Sequence, residues 1–118
     1  MIKCYCDASY DPSSKIAICG WQISNGPIQT FTLTNTKNTR AEIIGLIHLI
    51  NIVNNQPGNF IIYTDCESII RIINNREKLV NKNFCNKKGV ELEHADIYRD
   101  LFMIISDKIQ IEHISGHV

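Results

Sequence analysis

The 118-residue chain carries 12 basic and 12 acidic residues and is 44% apolar. That length makes one domain, residues 1–118, with a real core, and no apolar run is long enough to span a bilayer. Zero net charge does not mark a nucleic-acid binder, so any such role must rest on where the charges fall.

Ile2 to Ser9 reads as a buried strand that ends on a carboxylate at Asp7, with a turn at Asp11-Pro12-Ser13-Ser14 behind it. Lys15 to Ser24 is a second strand, turned back by Asn25-Gly26-Pro27. Ile28 to Thr34 alternates apolar and threonine residues, as a strand with one solvated face does. These three predict an antiparallel meander. The period then changes. Arg40 to Val53 is apolar around more than half its circumference, which predicts a largely buried helix. Phe60 to Tyr63 is a short apolar strand suited to a central parallel position. Glu67 to Asn75 and Leu92 to Ile105 read as helices, and Lys108 to Ile114 as a last strand. The polar stretch from Asn74 to Lys88 between those helices reads as a basic loop. A meander followed by alternating strands and helices predicts an α/β fold, a mixed sheet with helices on its faces.

Six of the 12 basic residues fall between positions 71 and 88, with Glu77 as the sole acid there. The five cysteines, Cys4, Cys6, Cys19, Cys66 and Cys85, are odd in number and form no Cys-x-x-Cys pair. They are expected as small apolar residues in a reducing compartment. No secretory leader is visible, so an intracellular chain, cytoplasmic or nuclear, is expected. The richness in Ile and Asn suits an AT-rich genome, such as that of some viruses.

Three acids occupy special places: Asp7 at the first strand, Glu42 early in the long helix, and Asp65 where the fourth strand hands over to a helix. If the first and fourth strands are parallel neighbours, Asp7 and Asp65 come side by side at their carboxyl ends. Glu42 can reach them from a helix crossing that face. Clustered carboxylates repel one another, and a hard divalent cation, Mg²⁺ or Mn²⁺, resolves the repulsion. Paired ions of this kind are a device for phosphodiester hydrolysis. Each acid also has a structural reading: Thr39-Arg40-Ala41-Glu42 fits a capping box, Asp65 fits an N-cap, and Asp7 fits a turn start.

The set of motifs resembles the type 1 ribonuclease H family. The resemblance is carried by Tyr5-Cys6-Asp7-Ala8-Ser9, Thr39-Arg40-Ala41-Glu42, Ile62-Tyr63-Thr64-Asp65-Cys66-Glu67-Ser68 and the closing Ile114-Ser115-Gly116-His117. The spacings, 35 residues from Asp7 to Glu42 and 23 from Glu42 to Asp65, also fit. It implies a ribonuclease H-like, five-stranded mixed sheet, a three-stranded antiparallel meander plus two parallel strands, flanked by helices. It implies cleavage of the RNA strand of an RNA–DNA hybrid, with two Mg²⁺ or Mn²⁺ ions held by Asp7, Glu42 and Asp65. It implies that His117 assists proton transfer or product release. Asn38 would meet the hybrid's minor groove, where 2′-hydroxyls distinguish RNA, and Thr39 beside it is expected to bind substrate as well. Glu67 stands where many members have Gln. Lys82, Lys87 and Lys88 lie where many members carry a basic protrusion that grips phosphates.

The family pattern also has a fourth carboxylate on a final helix beyond the histidine, and these 118 residues hold neither. A homodimer covering the face left by that helix is one expectation. Two other readings stand beside the hybrid nuclease. One is a weak or inactive ribonuclease H-like module that binds nucleic acid. The other is a related nuclease of the same fold acting on DNA.

Overall fold

The computed structural model describes residues 1–115. Five strands and four helices follow in the order β1 (Ile2–Asp11), β2 (Ile16–Ile23), β3 (Gln29–Leu33), α1 (Asn38–Asn54), β4 (Phe60–Thr64), α2 (Glu67–Asn74), α3 (Arg76–Asn81), α4 (Ala95–Ile104) and β5 (Ile109–His113). The sheet order is β3-β2-β1-β4-β5. β1, β2 and β3 pair antiparallel, whereas β1–β4 and β4–β5 are parallel. This is the mixed sheet flanked by helices that the pattern predicts. No helix among the described residues is long and apolar enough to cross a membrane.

Period-two alternation decides which face of the sheet is covered. Cys4 and Cys6 of β1, Ala17 and Cys19 of β2, and Phe60 and Ile62 of β4 are buried. The long helix supplies Ile43, Leu46, Leu49, Ile50 and Val53, none with exposed surface, to the core of Cys4, Cys6, Phe60 and Ile62, and Ala41 to a smaller cluster with Ala17 and Cys19. At about 25 cal/mol per Å² of apolar surface removed from water, these full-size side chains dominate the stability of the sheet–helix layer. α4 adds Ile97, Leu101 and Phe102. The opposite sheet face stays open, exposing Tyr5, Ile16 and Ile18 near Ile28. A groove of about 610 Å³ runs over it beside Asp7 and Asp65. All five cysteines are free thiols, and burial pushes the Cys6 thiol far up and the Cys19 thiol to about 11.

Several boundaries differ from the sequence reading, among them the start of α1 at Asn38 rather than Arg40. β1 runs on to Asp11 against β2, so Asp7 lies within a strand; only the parallel pairing to β4 stops near it, at Tyr5↔Tyr63. The basic stretch is not all loop, because Arg76–Asn81 forms the short helix α3. Its anchor is Phe84, buried in a left-handed conformation at φ 58, with the Arg99 guanidinium 4.7 Å over its ring. A bulky residue tolerates that backbone only when packing compensates. Last, α4 opens at Ala95 rather than Leu92, with His94 as its N-cap.

Candidate metal centre and nucleic-acid interface

Register places the first two acids. The β1–β4 parallel pairing ends at Tyr5 and Tyr63, so Asp7 and Asp65 both stand two residues beyond it, where the two neighbouring strands part. α1 crosses this end and brings Glu42. One carboxylate oxygen from each of Asp7, Glu42 and Asp65 lies within 4.8 Å of the other two. Asp7 is exposed, Asp65 partly buried and Glu42 buried.

A single backbone amide ties two of the acids. The N–H of Ala8 donates to Asp7 Oδ1 at 2.8 Å and to Glu42 Oε1 at 2.9 Å. That contact orients Glu42, yet it does not offset the surroundings. Burial, followed by the charges of Asp7 and Asp65, pushes the Glu42 carboxyl up to about 7, against an ordinary 4.5. The three acids therefore resist carrying three charges together, and a divalent cation is the group that would let them. The donor set is all hard oxygen, which fits Mg²⁺ or Mn²⁺.

The structural readings of these acids fail on geometry. The N-cap of α1 is Lys37, so Thr39 lies inside the helix and Glu42 closes no capping box. Helix entry is set instead by Thr36, which is buried, donates its amide to Lys15 O, and accepts at its carbonyl from the Tyr10 hydroxyl. Asp65 does not cap α2 either. The cap position is Cys66, whose amide donates to the buried Thr64 Oγ1 at 3.1 Å. Asp7 is thus held within β1, just past its pairing with β4, and Asp65 just beyond the end of β4, and both line the recess.

Asn38, Cys66 and Ala8 line that recess of about 250 Å³ together with the three acids. Thr39 sits one residue further along α1 and is partly buried. Glu67 opens α2, exposed and away from the recess lining. Lys82, Lys87 and Lys88 are exposed around and beyond the end of α3, and none is in an ion pair among the described residues. Arg76 is otherwise committed. It donates to the Phe102 carbonyl at 2.8 Å and stacks over that ring at 5.3 Å. His117 lies outside the described residues. The sequence reading missed the Ala8 amide and Cys66; the adjacency of both to Asp7 and Asp65 in the chain was the available signal.

Solved structures share this fold. A foamy viral protease-reverse transcriptase in complex with dsDNA superposes with a TM-score of 0.76 at 18% identity, covering 99% of this chain and 81% of that one. The same kind of protein in complex with RNA/DNA hybrid gives 0.69 at 17% identity, over 97% of this chain and 17% of that one. The native prototype foamy virus protein gives 0.77 at 20% identity, over 98% and 17%. No curated protein matches the chain. The RNase H family model matches residues 1–118. With the strand order and the three converging acids in place, the chain belongs to the RNase H family.

Proposed function

We propose that the chain is a divalent-metal-dependent endonuclease that hydrolyses the RNA strand of RNA–DNA hybrids. The observation that carries this reading is the meeting of Asp7, Glu42 and Asp65, from β1, α1 and the end of β4, within one oxygen-lined recess. Asp7, Glu42 and Asp65 would hold two Mg²⁺ or Mn²⁺ ions. When bound, such ions supply an acidified water and offset charge on the leaving oxygen. The Ala8 amide keeps the Glu42 carboxylate turned toward Asp7. Asn38, at the rim, is placed to meet the hybrid's minor groove, where the 2′-hydroxyl marks the RNA strand. Thr39 and Glu67 flank that approach. Lys82, Lys87 and Lys88 supply phosphate contacts without sequence preference. His117 takes the proton-transfer or product-release role that the Gly-His ending implies. A solved neighbour of the same fold was captured with an RNA/DNA hybrid, which supports the substrate class.

The test incubates a labelled hybrid with the protein in Mg²⁺ and, separately, in Mn²⁺, beside Asp65→Asn. Cleavage confined to the RNA strand and lost in the variant is the expected result. A folded protein that cuts with neither metal would leave a binding module, and preference for DNA would point to a nuclease of another substrate class. Sedimentation of the same preparation reads the oligomeric state, and a monomer removes the homodimer over the open sheet face.

A further inference from the structure

The open sheet face carries large apolar side chains that the core does not use. Tyr5 and Tyr63 meet across the β1–β4 ladder, where they pair in register. Their rings stack with centroids 5.4 Å apart and planes 25° off parallel. Tyr5 remains 39% exposed, and Ile18 and Ile28 more so. None of these four belongs to the two hydrophobic clusters that join the helices to the sheet. The groove of about 610 Å³ runs over them, a volume that suits a small-ligand site. Gly20 lines it beside Asp7, its partner in the β1–β2 ladder. A side chain at Gly20 would meet only ordinary contacts, the nearest at 3.8 Å, so the chain's own packing does not demand glycine. Glycine inside a strand often marks the close approach of a ligand.

The groove is continuous with the metal centre, because Asp7 and Asp65 line both it and the recess. Each acid stands two residues past its tyrosine, about 6.6 Å at the strand rise. The site therefore has two poles: acids suited to hard cations at one end, and an aromatic floor at the other. A ligand that fits both carries anionic oxygens a short reach from a flat ring, as a nucleotide does. In a paired duplex that ring is locked in the base stack. An unpaired nucleotide can turn its base onto the tyrosines at little cost. We propose that the groove seats one unpaired nucleobase on the Tyr5–Tyr63 stack, with its phosphate at the Asp7–Asp65 end, so that the chain favours hybrids whose RNA strand is unpaired beside the cleavage position. The proposal rests on the nuclease reading above. The two rings already pack on each other, so binding costs them little freedom. Every base has a face to stack, so the site reads pairing state and not sequence.

The test compares a blunt RNA–DNA hybrid with hybrids of the same paired length whose RNA strand runs on for two unpaired nucleotides, at either end in turn. Binding is measured by anisotropy in Ca²⁺, with the RNA checked intact by gel. A 2-aminopurine in the extension reports stacking as lost fluorescence. At one end the extension should tighten binding roughly ten-fold and quench the fluorophore, as one base stacked on an aromatic ring does. An abasic extension of equal charge should give neither effect. Tyr5→Ala with Tyr63→Ala should remove both and leave blunt-hybrid binding unchanged, whereas Tyr5→Phe with Tyr63→Phe, which keeps the rings, should retain them. Gly20→Val, which fills the groove, should also remove both. A gain shared by the abasic extension, or one that survives the double alanine variant, overturns the proposal, while hybrid cleavage by the wild type leaves the nuclease reading intact. A tyrosine-dependent gain in a protein that cuts no hybrid upholds the site and overturns only the nuclease reading. If the double alanine variant instead alters the sedimentation of the free protein and the extension gives no gain, the face joins two copies of the chain and the proposal is overturned.

Discussion

Removing the charge of Glu42 should make the metal-free protein more stable at alkaline pH. Burial and two neighbouring carboxylates raise this carboxyl from 4.5 to about 7 in the folded state. The folded protein therefore holds the proton more tightly than the unfolded chain does. Stability is full below pH 4.5 and falls as pH rises through 7. The folded and unfolded values differ by about 2.5, and each unit is worth 1.36 kcal/mol, so Glu42 costs about 3 kcal/mol at pH 8 and above. Urea unfolding in EDTA, from about pH 5.5 to 8.5, measures this for wild type and Glu42→Gln. The wild type should lose about 2 kcal/mol relative to the variant across that range, the remainder of the penalty being already present at pH 5.5. Groups that titrate elsewhere contribute to both proteins and cancel in the difference. The carboxyls held low, Asp11, Glu93 and Asp96, matter only at more acid pH. Mg²⁺ or Mn²⁺ at pH 8 should restore the wild type and leave the variant nearly unchanged. Parallel stability curves for the two proteins would refute the claim that the three acids are mutually strained.

Thr64→Val removes the acceptor for the Cys66 amide from a buried position; it should cost about 1–3 kcal/mol in urea unfolding and weaken metal binding by calorimetry through the shift of Asp65. Asp96→Asn breaks the Arg40 pair between α1 and α4. Because that pair is largely exposed, the loss at neutral pH should stay below ~1 kcal/mol. The Arg40 hydrogen bond holds the Asp96 carboxyl at about 2, so this contribution is present above pH 4 and vanishes as pH falls through 2. Lys82→Gln, Lys87→Gln and Lys88→Gln should each weaken hybrid binding and flatten its salt slope by at most ~0.9. Arg76→Gln should lower the melting temperature with little change in that slope, because its guanidinium serves Phe102.

The chain's periodicity made the sheet legible. Alternation in Ile2–Ser9 and Lys15–Ser24, then the switch of period at Arg40, gave the five strands and the long helix in order. Asp7, Glu42 and Asp65 were legible as a set because each follows or opens an apolar run, where an acid is hard to explain by core packing. The short helix α3 was not, since Arg76–Asn81 offers only Leu79 and Val80 as apolar residues and relies on the distant Phe84 and Phe102 for support. The start of α1 was misread for a related reason. Thr39 and Glu42 have capping-box spacing, but Lys15 and Tyr10, far off in sequence, fix Thr36, and the entry, with Lys37 as N-cap, comes two residues earlier. The Lys37–Glu93 pair spans 56 residues and has no local signature.

The parallel pairing of β1 with β4 has a consequence for synthesis. Ile2 meets Phe60, and nothing nearer in the chain can bring Asp7 to Asp65. Loop closure of that size must precede its reward, which slows the step relative to helix formation. A nascent chain with β4 still inside the ribosome carries Asp7 and Glu42 but lacks the third acid. The metal centre is thus incomplete until most of the domain has emerged, and under the proposed nuclease function the return of cleavage during refolding would time β1–β4 pairing itself.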